Sequence, residues 1–186
     1  MSALWAITCF FNPAGYQRRL RNYRWFRERM AAPLITVELS FNGEFELGPR
    51  DADILVQLDQ GDILFQKERL LNIALARVPA DCTAIAWVDG DILFGSDDWP
   101  DRTLQALERF SIVQLFSERL DLPPDSGPEA IPPRHRPCDR PSIMALVVNA
   151  GMRAADFQRD RLEERNSPGF RGVRHFGEPV HALADE

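Results

Sequence analysis

The sequence predicts an α/β protein built around a mostly parallel sheet. Apolar runs of strand length alternate with stretches of helical periodicity in the order strand, helix, strand, strand, helix, strand, helix, strand. One run, residues 83–88, is almost wholly apolar, as expected of an interior parallel strand covered on both faces. With 186 residues, 45% of them hydrophobic and 10% aromatic, the chain has enough apolar material for one packed domain and is not mainly disordered.

Residues 4–11 are the first strand, an apolar run that Asn12-Pro13-Ala14-Gly15 breaks. Over residues 16–30, Leu20, Tyr23, Phe26 and Met30 recur at helical spacing, which predicts an amphipathic helix. Residues 34–41 alternate and are β-branched enough for a second strand, with Asn42-Gly43 as its turn, and residues 53–58 give a short third. Leu70, Leu71, Ala74, Leu75 and Val78 place one apolar face on a helix near residues 65–78. Residues 83–88 follow as the fourth strand. Asp98-Trp99-Pro100-Asp101 reads as a helix start, with Pro in the first turn and acids at the positive end of the dipole. That helix continues through Leu104, Leu107 and Phe110 and gives way to a strand over residues 112–116.

The character changes after Leu122, because seven of the fourteen prolines fall between Pro123 and Pro141. Residues 1–122 are therefore expected to form the α/β domain, 123–141 a Pro-rich mobile loop, and 142–186 a partial segment and tail. Within the last stretch, residues 143–148 suggest one more strand and 152–165 a charged helix; beyond Ser167 there is little periodicity.

Charge and cysteine usage narrow the function classes. With 22 basic and 28 acidic residues the formal charge is −6, which argues against nucleic acid as a partner, since that affinity comes largely from neutralising phosphates. Cys9, Cys82 and Cys138 are odd in number and far apart, so neither a disulfide scaffold nor a zinc ribbon is expected. The apolar run at the N-terminus is too short to span a bilayer and lacks the charged segment of a signal peptide, which predicts a cytoplasmic protein. Six arginines and Glu28 give residues 1–30 a net +5, leaving −11 for the remainder. Such a basic helix can touch an anionic membrane surface, but a solvated helix face is the favoured reading.

Asp89-Gly90-Asp91, at the end of the fourth strand, is the sharpest candidate site. Side chains two apart on an extended chain project to the same side, so both carboxylates can converge on one divalent cation with oxygen ligands. Gly90 allows another group close to the backbone. Asp-Gly between apolar runs is equally a two-residue hairpin signal, joining residues 86–88 to 92–94, and from local sequence the two readings weigh about the same. An EF-hand loop is weaker, because Leu93 and Phe94 stand where an oxygen ligand and Gly are needed. If the first and fourth strands are neighbours, Phe11-Asn12 and Asp89–Asp91 face one crevice at the point where the winding reverses, the usual ligand position of an open α/β sheet.

Lys67 is the only lysine and falls at an expected helix start, where free N–H groups and the dipole favour anions; against this stands a solvated lysine paired with an acid. Asp59 and Asp62 form a competing pair and read as helix-start acids, and Asp97 and Asp98 are assigned to capping. His135, His175 and His181 show no metal spacing.

Taken together, Cys9-Phe10-Phe11-Asn12-Pro13, then residues 65–72 (FQKERLLN), then residues 86–94 (AWVDGDILF), resemble glycosyltransferases of the GT-A fold over residues 3 to about 120. The resemblance implies a Rossmann-like three-layer sandwich and the D-x-D class, in which a manganese or magnesium ion sits on the diphosphate of a nucleotide sugar. It implies donor-binding roles for Phe10, Phe11, Asn12, Glu38, Lys67 and Asp89, with Phe10, Phe11 and Asn12 bordering nucleobase and ribose, and metal contacts from Asp89 and Asp91. The expected activity is transfer of the sugar to an unknown acceptor, with no general base identified. Ser167-Pro168-Gly169-Phe170 resembles the start of the family's acceptor-side segment, but Arg171-Gly172-Val173-Arg174-His175 departs from its continuation. That departure supports an alternative, a truncated relative that binds nucleotide without turnover. A nucleotidyltransferase is less expected, because Asn12-Pro13-Ala14-Gly15 is a poor phosphate loop.

Overall fold

The structure, a computed structural model, describes residues 3–41, 43–61, 64, 66–116, 118–122, 126–130, 140–141 and 180–182. Its centre is an all-parallel sheet of four strands: β1 (Leu4–Phe11), β2 (Leu34–Leu39), β3 (Ile54–Leu58) and β4 (Ala84–Trp87), in the spatial order β3-β2-β1-β4. Helix α1 (Gln17–Glu28) connects β1 to β2, and α2 (Lys67–Leu75) connects β3 to β4. In register, Ala6 lies beside Leu34 on one side and Ala86 on the other.

The alternation of β1 explains the layering. Leu4, Ala6 and Phe10 share one cluster with Tyr23 and Phe26 of α1, whereas Ile7 and Phe11 share another with Leu70, Leu71 and Ala74 of α2. Successive strand side chains point to opposite faces, so a run apolar at every position needs cover on both. Helices on the two faces of a parallel sheet make the arrangement α/β.

Tyr23 locks α1 to the sheet. Its hydroxyl donates to the Asp51 carbonyl at 2.7 Å and lies 2.7 Å from the Thr36 hydroxyl of β2, so a ring only 1% exposed has its polar atom satisfied. Two arginines of the basic helix turn inward to acids of the loop before β3: Arg27 meets Asp53 at 3.0 Å and Arg24 meets Asp51 at 3.8 Å. Part of the helix charge is therefore balanced within the molecule.

Beyond β4 the chain forms β5 (Ile92–Phe94), α3 (Trp99–Leu107) and β6 (Glu118–Asp121), and then β7 (Arg140–Pro141) and β8 (Val180–Ala182). These strands make a second sheet, ordered β5-β8-β6-β7, in which β8 runs antiparallel to β5 and parallel to β6. Trp99, at the start of α3, stacks on Phe94 with ring centroids 4.3 Å apart and joins the α1-side core.

Two sequence expectations are corrected. β4 is not covered on both faces: among the described residues it is an edge strand, with Ile85 42% and Trp87 55% exposed. The third helix ends at Leu107, leaving Phe110 exposed, and residues 112–116 form no strand; Ile112 is 90% exposed and the next strand is the polar Glu118–Asp121. Apolarity signals the availability of a side chain for burial, but the partner surface decides whether burial happens. The tail, which shows little periodicity in sequence, contributes β8. The strand expected at 143–148 and the helix at 152–165 lie outside the described residues. No helix among the described residues is long and apolar enough to cross a membrane.

Candidate functional site

The strand order reverses at β1: successive units step away through β2 and β3, and the next strand returns to pair on the other side of β1. The carboxyl ends of β1 and β4 therefore flank a crevice, and the Val88 N–H bonded to the Ile7 carbonyl at 3.1 Å carries the pairing up to its lip.

Strand pairing decides between the two readings of Asp89-Gly90. β4 belongs to the parallel sheet and β5 pairs with β8, so no hairpin ladder joins them. Gly90 also lacks the positive φ that a type I′ hairpin turn requires. Instead it lies against α1: a Cβ there would stand 3.1 Å from Tyr23 Cδ2 and 3.5 Å from Thr8 Oγ1. A side chain there would press on the tyrosine ring, which would have to give by a few tenths of an ångström, so Gly90 suits this close passage.

The crevice contains a cavity of about 180 Å3 lined by Thr8, Phe10 and Phe11 of β1, Arg19, Lys67, and Asp89, Gly90 and Asp91. The Lys67 ammonium, on the first residue of α2, forms an ion pair with the Asp89 carboxylate, and the two side chains are 30% and 26% exposed. Arg19, in the first turn of α1, donates from Nη1 to the Phe11 carbonyl at 2.7 Å. Two cations and two carboxylates thus surround the cavity. The thiol of Cys9 also reaches it; burial pushes its pKa up to about 11, the nearby Lys67 charge pulling it down and Asp89 pushing it up. Burial likewise raises the Tyr23 phenol. Both groups are neutral at pH 7, so the cavity wall carries no net formal charge.

A second cavity, about 770 Å3, lies beside the first, and Phe10 lines both. Asn12 and Glu38 belong here, with Phe41, Glu44 and Glu46. Both expected site residues are held by internal bonds. Asn12 Oδ1 accepts from the Tyr16 N–H at 3.0 Å, and its Nδ2 donates to the Tyr16 carbonyl at 3.1 Å and to Glu46 Oε1 at 2.8 Å. Its side chain shapes the turn into α1, helped by Gly15 at φ +65°. Glu38, 2% exposed, accepts from the Glu46 N–H at 2.7 Å, the Leu47 N–H at 3.2 Å and Gln57 Nε2 at 2.9 Å.

Of the residues singled out in the sequence, Phe10, Phe11, Lys67, Asp89 and Asp91 meet at one cavity, and Phe10, Asn12 and Glu38 at the other. Arg19 is hard to single out in sequence because it is one of five arginines on α1. The usable signal was its place in the first turn after the β1 loop, where a side chain can fold back over the strand end. Among the described residues no group of three or more His, Cys, Asp or Glu side chains gathers as a metal cage. Two carboxylates that leave other positions to phosphate and water still suit magnesium or manganese, hard ions that usually bind through one or two carboxylates plus substrate phosphates. No family of known proteins, no curated protein and no solved structure matches the chain, so its architecture and cavities stand as the grounds for a functional reading.

Proposed function

We propose that the chain is a metal-dependent glycosyltransferase of the GT-A type, moving a sugar from a nucleoside-diphosphate sugar to an acceptor hydroxyl. The observation that carries this reading is the convergence of Lys67, Arg19, Asp89 and Asp91 on one small cavity at the β1–β4 reversal. The adjoining larger cavity, bordered by Phe10, Asn12 and Phe41, has a volume suited to a nucleoside. The smaller one suits a diphosphate.

Charge supports the ligand class. A diphosphate entering a formally neutral cavity brings at least two negative charges, and a divalent cation is the group that offsets them. Asp91 with Asp89 would hold a manganese or magnesium ion. When bound, that ion neutralises the charge that develops on the departing nucleoside diphosphate. Arg19 and Lys67 set positive charge beside the phosphate oxygens, and the buried Thr8 hydroxyl offers a further polar contact at the cavity floor. Phe10 and Phe11 exclude water from one wall.

Titration with UDP and with GDP, each with and without manganese, tests the proposal. The expected result is binding of one nucleotide at least tenfold tighter with manganese, lost in Asp91→Ala, together with manganese-dependent hydrolysis or transfer from the matching nucleotide sugar. No binding in any of the four conditions overturns it. Binding without turnover from any nucleotide sugar favours instead a nucleotide-binding domain.

A further inference from the structure

The chain's only lysine spends its charge on the carboxylate that the proposed function needs for a cation. Lys67 and Asp89 are paired, each is about one-quarter to one-third exposed, and both line the 180 Å3 cavity on one side and a more apolar 480 Å3 cavity on the other. A pair with this much solvent access is weakly held, because water screens the attraction, so the ammonium exchanges partners at little cost. An ammonium carries its charge at a point on a flexible stem and needs no fixed geometry, so it can follow a phosphate as readily as a carboxylate.

Two consequences follow from the composition of the wall. A bare divalent ion has to compete with Lys67 for Asp89, and among the described residues no third His, Cys, Asp or Glu joins the two aspartates to compensate. A divalent ion arriving with a diphosphate meets different terms, because the displaced ammonium then has phosphate oxygens to pair with and never stands uncompensated beside the ion.

We propose that Lys67 is an exchangeable counter-ion that makes cation and diphosphate binding mutually dependent: it occupies Asp89 in the ligand-free protein and so suppresses binding of the metal alone, then passes to the diphosphate when both ligands are present. The inference rests on the nucleoside-diphosphate reading above. It adds to that reading a direction of coupling that is reciprocal by linkage: each ligand raises the affinity for the other by the same factor.

The test uses the full chain, with manganese alone, UDP or GDP alone, and both together, followed by calorimetry and by the free-manganese electron paramagnetic resonance signal. Lys67→Met is expected to bind manganese alone about threefold to tenfold more tightly than the parent and the manganese–nucleotide pair at least tenfold more weakly, so that the coupling factor collapses toward one. Lys67→Arg, which keeps the charge, should retain most of the coupling. Circular dichroism and thermal midpoints check that both variants fold; Lys67→Gln provides a second neutral replacement. Unchanged or weaker binding of manganese alone in Lys67→Met and Lys67→Gln overturns the inference. If the parent still shows manganese-dependent nucleotide binding that Asp91→Ala abolishes, only the coupling has failed and the proposed function stands. Failure of the parent to bind nucleotide under any condition removes both.

Discussion

Glu38 and Asp89 are carboxylates near the carboxyl ends of strands in the same parallel sheet, yet they do opposite work. Glu38 is 2% exposed and receives two backbone N–H groups and a Gln57 amide, whereas Asp89 is about one-quarter exposed and meets the Lys67 ammonium. Desolvation makes the first partnership hard to exchange, because removing the acceptor strands buried donors. The second can be broken and remade in water. A carboxylate at a strand end is therefore fixed or exchangeable according to how many buried donors surround it, and residue type alone does not tell which.

The contrast predicts a wide gap between the two positions. Glu38→Ala should destabilise the fold by about 3 kcal/mol, since hydrogen bonds to charged groups are worth roughly 1.5–3 kcal/mol and buried N–H groups are left unpaired. Urea denaturation measures this, and a loss under about 1 kcal/mol would show that the loop at residues 46–47 re-solvates freely.

Cys9 sits between these extremes, partly buried and beside the Lys67–Asp89 pair. With its pKa near 11, its thiolate population at pH 8 is roughly a hundredfold below that of an ordinary thiol, so iodoacetamide should modify it correspondingly slowly and faster as the pH approaches 11. Rapid alkylation at pH 8, located by peptide mass mapping, would mean that the β1 end opens to solvent.

Tyr23→Phe removes the hydroxyl shared by Thr36 and the Asp51 carbonyl, with an expected cost of about 1–2 kcal/mol. The phenol's pKa is raised by burial, so its contribution is intact below the unfolded-state value of about 10 and lost as the pH rises through the higher folded value. The parent should lose stability above about pH 10 more steeply than Tyr23→Phe, and parallel curves would argue against it. The smallest effect belongs to Asp89→Asn, which should change stability by under about 1 kcal/mol. A larger loss would move Asp89 into Glu38's class.

Much of the parallel sheet was legible because β1, α1, β2, β3 and α2 each carry a full period of apolar residues. The edge position of β4 was not, since Ile85 and Trp87 are as apolar as buried strand residues and the missing neighbour leaves no local trace. Lys67 and the Asp89–Asp91 pair were legible as separate oddities, a lone lysine and a doubled acid at a strand end, although 22 residues separate Lys67 from Asp89. The internal partners of Asn12 and Glu38 left no trace in the sequence. The Glu46 partner of Asn12 lies 34 residues away, and no spacing rule announces that a polar side chain will be consumed by a loop. The hairpin reading failed for a related reason: Asp-Gly specifies a chain reversal only when the flanking strands find each other, and here they join different sheets.

The place of β8 between β5 and β6 bears on the order in which the molecule assembles. The four parallel strands are all present once residue 87 has been synthesised, so the crevice floor can form early. Asp91 leads directly into β5, whose hydrogen-bonded neighbour is not made until residues 180–182 emerge. Closing so long an interval is entropically slow, and a nascent chain paused before it would carry one wall of the crevice without its final brace. The Asp91 side of the crevice should therefore become ordered late during synthesis, after the parallel sheet has already acquired protection from proteases.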